Sequence, residues 1–443
     1  MSSTALSGRP VQASAYAPQL KWVAGALVIA ALTFNAVLCL MNTHITPINN
    51  SHVIGSEILV ITIALLACHR TIEPQYVLII TSIVIYTVIL ALIRISILPD
   101  GGIDLKIARD FLIPVIFFVL GKSVNNVRAA DTIVYVATAL MLAFALLEYC
   151  FVDWYLKVFS IVDYYVARGS LDPLKPSLQW AGGLMLNGIR PEELGGRALL
   201  PFFGDHRVSS LFLESISLGN FGALVVFWAI ARSRMEHQLR FWSIAAGLAL
   251  IILSDSRFNA SFLAFGILIL LLNPRITTPA ILAMPFVAIA GLCLFAGPRD
   301  VPFLEGQSLR DRLLYSGQVL LDFDIWNWLG LATTRADTLD AGYAYVVTNI
   351  GLMGFAAFWF WFLSLGGRSR YFYAFRNTSA AYFAVLFCIS TSVFTIKTGA
   401  LLWFLIGTLS VARDRYVSVR QTQSTPSRQV VEPRQWCEGH AQR

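Results

Sequence analysis

WVAGALVIAALTFNAVLCLM occupies residues 22–41 and contains no charged side chain. A helix needs about 20 consecutive apolar residues to cross a bilayer, so this stretch is long enough for one membrane span. The rest of the chain is similar: 57% of its 443 residues are hydrophobic and 13% are charged, with a mean hydropathy of +0.67. Soluble domains carry about 25% charged residues. The composition therefore predicts an all-α, polytopic membrane protein.

Twelve apolar segments recur along the chain, which predicts about twelve transmembrane helices. They cover residues 22–41, 54–68, 76–97, 107–121, 132–150, 211–231, 241–253, 260–272, 279–296, 343–365, 380–395 and 398–411. The segments at 241–253, 260–272 and 398–411 are short for a span. They either extend into the flanking polar residues or pair as a re-entrant hairpin.

The basic residues between these segments indicate an orientation. Twelve spans place the short arginine- and lysine-containing loops and both termini on one side, which the positive-inside rule makes the cytoplasm. The chain then divides into a disordered cytoplasmic N-terminus at residues 1–20, a transmembrane domain at 21–411 and a disordered cytoplasmic tail at 412–443. Two large periplasmic loops are expected at 151–210 and 297–342. Within the second loop, residues 309–321 are amphipathic and predict a short interfacial helix.

The charge and the cysteines exclude other classes of protein. The formal net charge of +7 lies in clusters between apolar segments, as membrane topology requires, so it does not indicate nucleic-acid binding. None of the six cysteines forms a Cys-x-x-Cys pair, so neither a zinc site nor a redox motif is indicated.

Arginines are frequent in the two large loops. Arginine binds phosphate in a bidentate manner and stays charged in a site of low dielectric constant. For a single loop arginine, the simpler interpretation is a solvated charge or a contact with anionic lipid headgroups. The loop arginines and the one lysine beside them are Arg168, Lys175, Arg190, Arg197, Arg207, Arg299, Arg310, Arg312 and Arg335.

Ionisable residues within or beside the apolar segments are sharper signals, because such residues in membrane helices are usually functional. Arg94 and Lys397, near the expected outer ends, are expected to extend to the headgroups. Arg257 has no comparable length of helix to follow, so a functional role is favoured for it. The others are Glu57, Arg109, Asp110, Glu148 and Asp255.

Residues 204–222, GDHRVSSLFLESISLGNFG, are the densest polar stretch. They place Asp205, His206, Arg207 and Glu214 at the expected outer mouth of the sixth segment. A basic group beside a carboxylate there could bind an anion and accept a proton. The simpler alternative is a capped helix start with Glu214 paired to an arginine.

Several short motifs in this sequence resemble the O-antigen polymerase and ligase superfamily. RVSSLFLE at 207–214 is similar to its Arg-x-Ser-Gly-x-Phe-x-Glu/His segment, and SDSR at 254–257 is similar to its Ser-Arg segment. WNWLG at 326–330, DAGYAY at 340–345 and NIGLMG at 349–354 resemble its last large loop and the following helix. The order of the motifs carries more weight than any one of them.

The resemblance to Wzy-type polymerases, with xanthan-type exopolysaccharide polymerases as one subgroup, implies a GT-C-like fold and a specific activity. Such an enzyme joins undecaprenyl-diphosphate-linked repeat units into a long glycan at the periplasmic face of the bacterial inner membrane. It needs no cofactor and no metal. A flippase and a chain-length co-polymerase are the implied partners, besides membrane lipid and the lipid-linked oligosaccharide.

The resemblance also implies roles for individual residues. Arg207 and Arg257, assisted by Arg109, would bind the departing diphosphate. Glu214 or Asp340 would deprotonate the acceptor hydroxyl, and Asp340 is favoured because it occupies the place of the ligase histidine. The residues expected to stack on sugars are Trp326, Trp328, Tyr343 and Tyr345.

Two departures from the family pattern limit the assignment. The histidine that ligases carry before the tenth segment is absent, which argues against a ligase. The Arg-x10-Gly pattern of some polymerase loops is absent from both large loops. A lipid-linked oligosaccharide flippase is the alternative from a different class, although no related halves, frequent in transporters, are visible. The two remaining alternatives are a ligase and a non-enzymatic scaffold.

Overall fold

The computed structural model describes residues 17–97, 105–171, 188–189, 196–232, 237–297, 309–332, 338 and 341–412. These residues form helices and connecting turns, and no β-strand is among them. The first seven helices are α1 Ala17–His44, α2 Asn50–Cys68, α3 Pro74–Ile97, α4 Leu105–Val124, α5 Val127–Cys150, α6 Val152–Val158 and α7 Ile161–Ala167. They are followed by α8 Ser215–Ala231, α9 His237–Leu253, α10 Arg257–Leu271, α11 Pro274–Ala296, α12 Leu309–Leu321, α13 Ile325–Leu329, α14 Gly342–Ser364, α15 Arg370–Leu386 and α16 Ile396–Val411.

Six helices of the described residues are long and apolar enough to cross a membrane. They are Gln19–His44, Asn50–Cys68, Pro74–Ile97, Val127–Cys150, Pro274–Ala296 and Gly342–Ser364. The apolar helices α8, α9, α10 and α16 have 15 to 17 residues and fall below the usual span length. A helical membrane protein is therefore confirmed, whereas the count of twelve spans stays a prediction.

Most predicted boundaries differ from the helix ends by a few residues, and for two of them the structure shows the physical reason. The segment predicted at 211–231 begins as a helix only at Ser215, because Leu213 has a left-handed backbone (φ 58°) before the N-cap Glu214. Of the segment predicted at 380–395, only residues 380–386 are helical, as the end of a helix from Arg370 to Leu386, and the remainder forms turns that include the 3-10 turn Ser392–Phe394. The polar first half of this helix, which a hydropathy pattern excludes, is helical because residues such as Arg376 are buried and hydrogen-bonded inside the bundle.

α4 and α16 form the closest helix pair of the core. A Cβ atom at Gly121 of α4 would overlap the carbonyl oxygen of Phe404, and one at Gly407 of α16 would overlap that of Phe118. The Thr408 hydroxyl also donates to the Gly121 carbonyl at 3.2 Å. Small residues let membrane helices approach to backbone contact, where dispersion contacts replace the missing hydrophobic driving force.

α14 is broken at Gly351, which has φ 70° and ψ 165°. The carbonyls freed by the break are bound by α3: Arg94 donates to Thr348 O at 3.0 Å and to Asn349 O at 2.6 Å, and Tyr86 donates to Ile350 O at 2.7 Å. Arg94 also donates to the carbonyl of Gly330, at the end of α13. The prediction that Arg94 extends to the headgroups is therefore wrong, since unbonded carbonyls at this depth attract its guanidinium more strongly.

Candidate functional site

An ion pair between a buried lysine and a half-buried carboxylate lies at the start of α8. The N-cap residue Glu214 accepts from Lys397 Nζ at 2.5 Å, from the Tyr165 hydroxyl at 2.7 Å and from the Ser217 hydroxyl at 3.0 Å. These four residues are called the Glu214 cluster below. They come from α7, α8 and α16, so three helices distant in sequence define the position of one carboxylate.

The electrostatics of the Glu214 cluster favour a charged carboxylate. Burial raises the pKa of Glu214, but the Lys397 ammonium and the hydrogen bonds outweigh it and hold that pKa below its usual range. Burial and the nearby Glu214 charge raise the pKa of the Tyr165 hydroxyl well above 10. Tyr165 is therefore a hydrogen-bond donor to a permanent anion at neutral pH.

Lys397 is only 4% exposed, so the prediction that it extends to the headgroups is wrong. It is the second residue of α16, three positions after the end of the short 3-10 turn Ser392–Phe394. A lysine at this position extends to the interface only if no partner lies nearer, and Glu214 provides that partner.

A second group of charges joins α2, α4 and α14. The Arg109 guanidinium donates to Glu57 and, at 2.7 and 2.9 Å, to Asp110. Asp110 also accepts from the Tyr345 hydroxyl at 2.8 Å. Glu57, Arg109 and Asp110 are all buried. These four residues are called the Arg109 cluster below.

Arg168 connects the two clusters. Its guanidinium lies 5.1 Å from the ring centre of Tyr165 and 5.6 Å from that of Tyr164, within range of cation–π attraction. Glu57 interacts electrostatically with both Arg168 and Lys397. The two clusters therefore lie at the same end of the bundle, close enough for their charges to act on one another.

A third group surrounds the turn between α9 and α10. Arg207 is 2% exposed, and its Nε donates to Ser254 O at 3.1 Å. Arg197 donates to His206 O at 2.6 Å and to Ile252 O at 2.5 Å, and burial lowers its pKa. Arg257, whose side chain is 42% exposed, donates to the carbonyl of Gly196. These arginines hold the turn and the loop before α8 together.

Two carboxylates hold the same loop in place. Glu148 at the end of α5 accepts from the backbone N–H groups of Ser209 and Ser210, at distances from 2.6 to 3.1 Å. Asp255 accepts from the N–H groups of Ala198 and Leu199 at 3.1 and 2.8 Å. The segment that carries Arg207 is thereby fixed to helices on both sides.

The structure brings the predicted residues into separate groups. Arg207 and Arg257 meet at the α9–α10 turn, Arg109 and Tyr345 share the second cluster, and Glu214 lies in the first. Asp340 lies outside the described residues.

The four aromatic residues predicted to stack on sugars differ in how accessible their rings are. Tyr343 is 1% exposed, its hydroxyl donates to Ala384 O at 2.6 Å, and its ring packs against Phe355 and Phe387. This geometry does not favour sugar stacking by Tyr343. Trp326 and Trp328 lie on α13, where Trp326 is 44% exposed.

Sequence reasoning missed the importance of Lys397 and Tyr165. Neither belongs to a motif, and both are more than 45 residues from Glu214 in the chain. The available signal was the need of each buried charge for an opposite charge at similar depth. Glu57 and Asp110 were noticed as membrane-depth carboxylates, but their pairing with Arg109 depends on the packing of α2 against α4.

Comparisons with protein-family models, with curated proteins and with solved structures found no match to this chain. No group of three or more His, Cys, Asp or Glu side chains that could hold a metal ion lies within the described parts of the chain.

Proposed function

We propose that this protein is a metal-independent glycosyltransferase that polymerises undecaprenyl-diphosphate-linked oligosaccharide repeat units into a long exopolysaccharide or O-antigen chain. The main support is the concentration of buried, mutually interacting charges at one end of a bundle that is otherwise apolar. Such charges are costly in a membrane protein and are retained mostly where they act on a ligand. The motifs at 207–214 and 254–257 contribute the two arginines Arg207 and Arg257, which belong to the separate third group at the α9–α10 turn.

In the proposed reaction, a hydroxyl oxygen of the acceptor repeat unit attacks C1 of the sugar that joins the growing glycan to its lipid diphosphate. The bond between C1 and the phosphate oxygen breaks, and the diphosphate leaves with both bonding electrons. Arg207 and Arg257 would neutralise the charge that develops on this leaving group, and Arg109 would assist. Fixed cations aimed at developing charge lower the barrier without reorganisation.

The proton of the acceptor hydroxyl would pass to a carboxylate, either Glu214 or Asp340. Glu214 is ionised and oriented by Lys397 and Tyr165, which supports a role as acceptor. Its lowered pKa makes it a weak base, because proton transfer is most efficient when the base has a pKa near the working pH. Asp340 therefore stays the favoured base, and Glu214 would then hold the acceptor by hydrogen bonding.

Sugar binding is assigned to Trp326, Trp328 and Tyr345. Trp326 and Trp328 lie on α13, immediately before Gly330, whose carbonyl Arg94 binds together with those of the α14 break. Tyr345 bonds to Asp110 and lies under the Lys106 ammonium, 5.2 Å from the ring centre. A sugar bound between these elements would meet both aromatic and charged groups.

The proposal includes a topology. Twelve helices would cross the bacterial inner membrane, with both termini in the cytoplasm and the charged clusters at the periplasmic face. Supporting this, each predicted segment overlaps a helix of the structure. Short helices can span where neighbouring helices and loops cover their ends or the bilayer thins locally.

The test is reconstitution of the purified protein in liposomes with the lipid-linked repeat unit of its own organism, without metal or nucleotide sugar. The expected product is a ladder of repeat-unit multiples on a gel. The Arg207→Ala variant should lose the ladder, whereas Arg128→Gln, an exposed arginine outside the three groups, should retain it. Unchanged substrate whose glycan has moved across the bilayer would instead identify a flippase and refute the proposed site.

A further inference from the structure

A cavity lined by three arginines lies at the far end of α14 from the charged clusters. It has a volume of about 790 Å³ and is lined by the starts of α11 and α15 and by the end of α14. Tyr345, near the first residue of α14, belongs to the Arg109 cluster, whereas Leu363 and Leu365 line this cavity. At 1.5 Å per residue, at most about 30 Å of the broken helix α14 separates the two regions. The cavity is therefore not part of the proposed active site.

Three arginines line the cavity: Arg275, Arg370 and Arg376. No carboxylate is among the described residues that line it. The arginines come from two helices that begin at the cavity, so the partial positive charge of both helix N-termini adds to theirs. The cavity is thus strongly positive.

Arg376 is the most informative of the three. It is 3% exposed, and its guanidinium donates to the carbonyls of Leu363 and Leu365 at 2.6 and 2.8 Å and to Asn377 Oδ1 at 2.8 and 3.1 Å. The fourth acceptor is the hydroxyl of Thr278 at 3.3 Å. All these acceptors are neutral, and no carboxylate of the described residues pairs with Arg376.

A buried charge without a counter-charge is unusual. Desolvation of the charge is costly unless an opposite charge offsets it, so buried charges are normally paired. Two other buried cations of the described chain follow this rule: Arg109 pairs with Glu57 and Asp110, and Lys397 pairs with Glu214. The buried Arg197 instead donates to backbone carbonyls of the α9–α10 turn. Arg376, whose acceptors are all neutral, lines a cavity large enough to hold a negative partner.

We propose that the cavity between α11, α14 and α15 binds a phosphate-bearing anion, which supplies the counter-charge for Arg376 and is held at the rim by Arg275 and Arg370. Arginine is the side chain best suited to bind phosphate. The volume of the cavity is in the range found for ligand-binding sites. The headgroup of an anionic phospholipid and a soluble phosphate share this chemistry. Basic pockets between transmembrane helices often bind such headgroups. This inference does not depend on the polymerase proposal.

The experiment uses the full chain in dodecyl maltoside micelles and follows thermal unfolding during titration with phosphatidylglycerol. Phosphatidylcholine is the lipid control, and inorganic phosphate against chloride at equal ionic strength distinguishes a soluble anion from a lipid headgroup. The test variant is Arg275→Gln with Arg370→Gln, two exposed residues whose replacement leaves the buried Arg376 in place. Arg128→Gln with Arg240→Gln is the matched control, since it removes the same charge outside the cavity.

We expect phosphatidylglycerol to raise the unfolding temperature of the wild type and of the control variant. The test variant should need at least about tenfold more lipid, because each lost charge-assisted hydrogen bond weakens binding by about that factor. If inorganic phosphate also raises the unfolding temperature, the site binds a soluble anion. If phosphatidylglycerol raises it and inorganic phosphate does not, the site binds the lipid headgroup. No response to either ligand in the wild type, or equal loss of response in both double variants, would overturn the proposal.

Discussion

Replacement of Lys397 by methionine should destabilise the protein by leaving Glu214 without its cation. Methionine keeps the length and most of the apolar surface of the lysine stem, so the main change is the loss of the ammonium. Lys397 has a side chain 5% exposed, and that of Glu214 is 30% exposed. The carboxylate would keep its hydrogen bonds from Tyr165 and Ser217.

The size of the effect follows from this burial. Removal of one partner from a fully buried ion pair costs about 3–5 kcal/mol. Because water still reaches part of the Glu214 carboxylate, we expect a loss near or below the lower limit, about 2–3 kcal/mol in the free energy of unfolding. Replacement of both partners, Glu214→Gln with Lys397→Met, leaves no unpaired charge and should cost about 1 kcal/mol.

The free energy of unfolding can be measured by titrating the purified protein with sodium dodecyl sulfate in mixed micelles and following helix content and tryptophan fluorescence. The double variant should be more stable than the single variant Lys397→Met. If the single variant were as stable as the wild type, or if the second substitution gave no recovery, the ion pair would not have the energetic role that its geometry indicates.

Three further predictions concern stability. Gly407→Leu should cost at least about 2–3 kcal/mol, because its side chain would separate α16 from the Phe118 carbonyl of α4. The lowered pKa of Glu214 means that the carboxylate stabilises the folded state above its ordinary pKa of 4.5 and loses this contribution as the pH falls through the folded value, so acid below pH 4.5 should unfold the wild type with a steeper pH dependence than Glu214→Gln. Arg94→Met should speed amide hydrogen exchange at the α14 break, since three carbonyls lose their donor.

Matched controls separate these effects from general disruption. Gly291→Leu adds the same side chain in α11 where a Cβ atom meets nothing within 4 Å, so it should leave stability nearly unchanged. Tyr86→Phe removes a single hydrogen bond at the α14 break and should have a smaller effect than Arg94→Met. Equal behaviour of either control and its test variant would contradict the packing or bonding role assigned here.

The fold was predictable to the extent that hydropathy determines it. Helices such as α3 and α5 follow directly from long apolar segments, and residues 309–321 form the amphipathic helix α12 as expected. The predicted start of α15 was ten residues too late, because the buried first part of the helix contains the polar residues Arg376, Asn377 and Thr378. A hydropathy pattern cannot distinguish a polar residue exposed to water from one that is hydrogen-bonded inside the bundle.

The candidate site was predictable only in part. Arg207, Arg257, Arg109 and Glu214 could be selected because charges are rare in or beside apolar segments. Their partners could not, because pairing depends on which helices pack together. The distance along the chain from Glu214 to Lys397 is 183 residues, and no local pattern spans it.

The contact between α4 and α16 has a consequence for biogenesis. Gly121 and Thr408 bond across 287 residues of sequence, so the core helix pair cannot form until nearly all described residues have left the ribosome. At about 5–20 residues per second, α4 waits roughly 15–60 s in the membrane for its partner. During that time its Arg109 has Glu57 of α2, made shortly before, as a counter-charge. The early ion pair could therefore hold the nascent helices together until the last helix arrives.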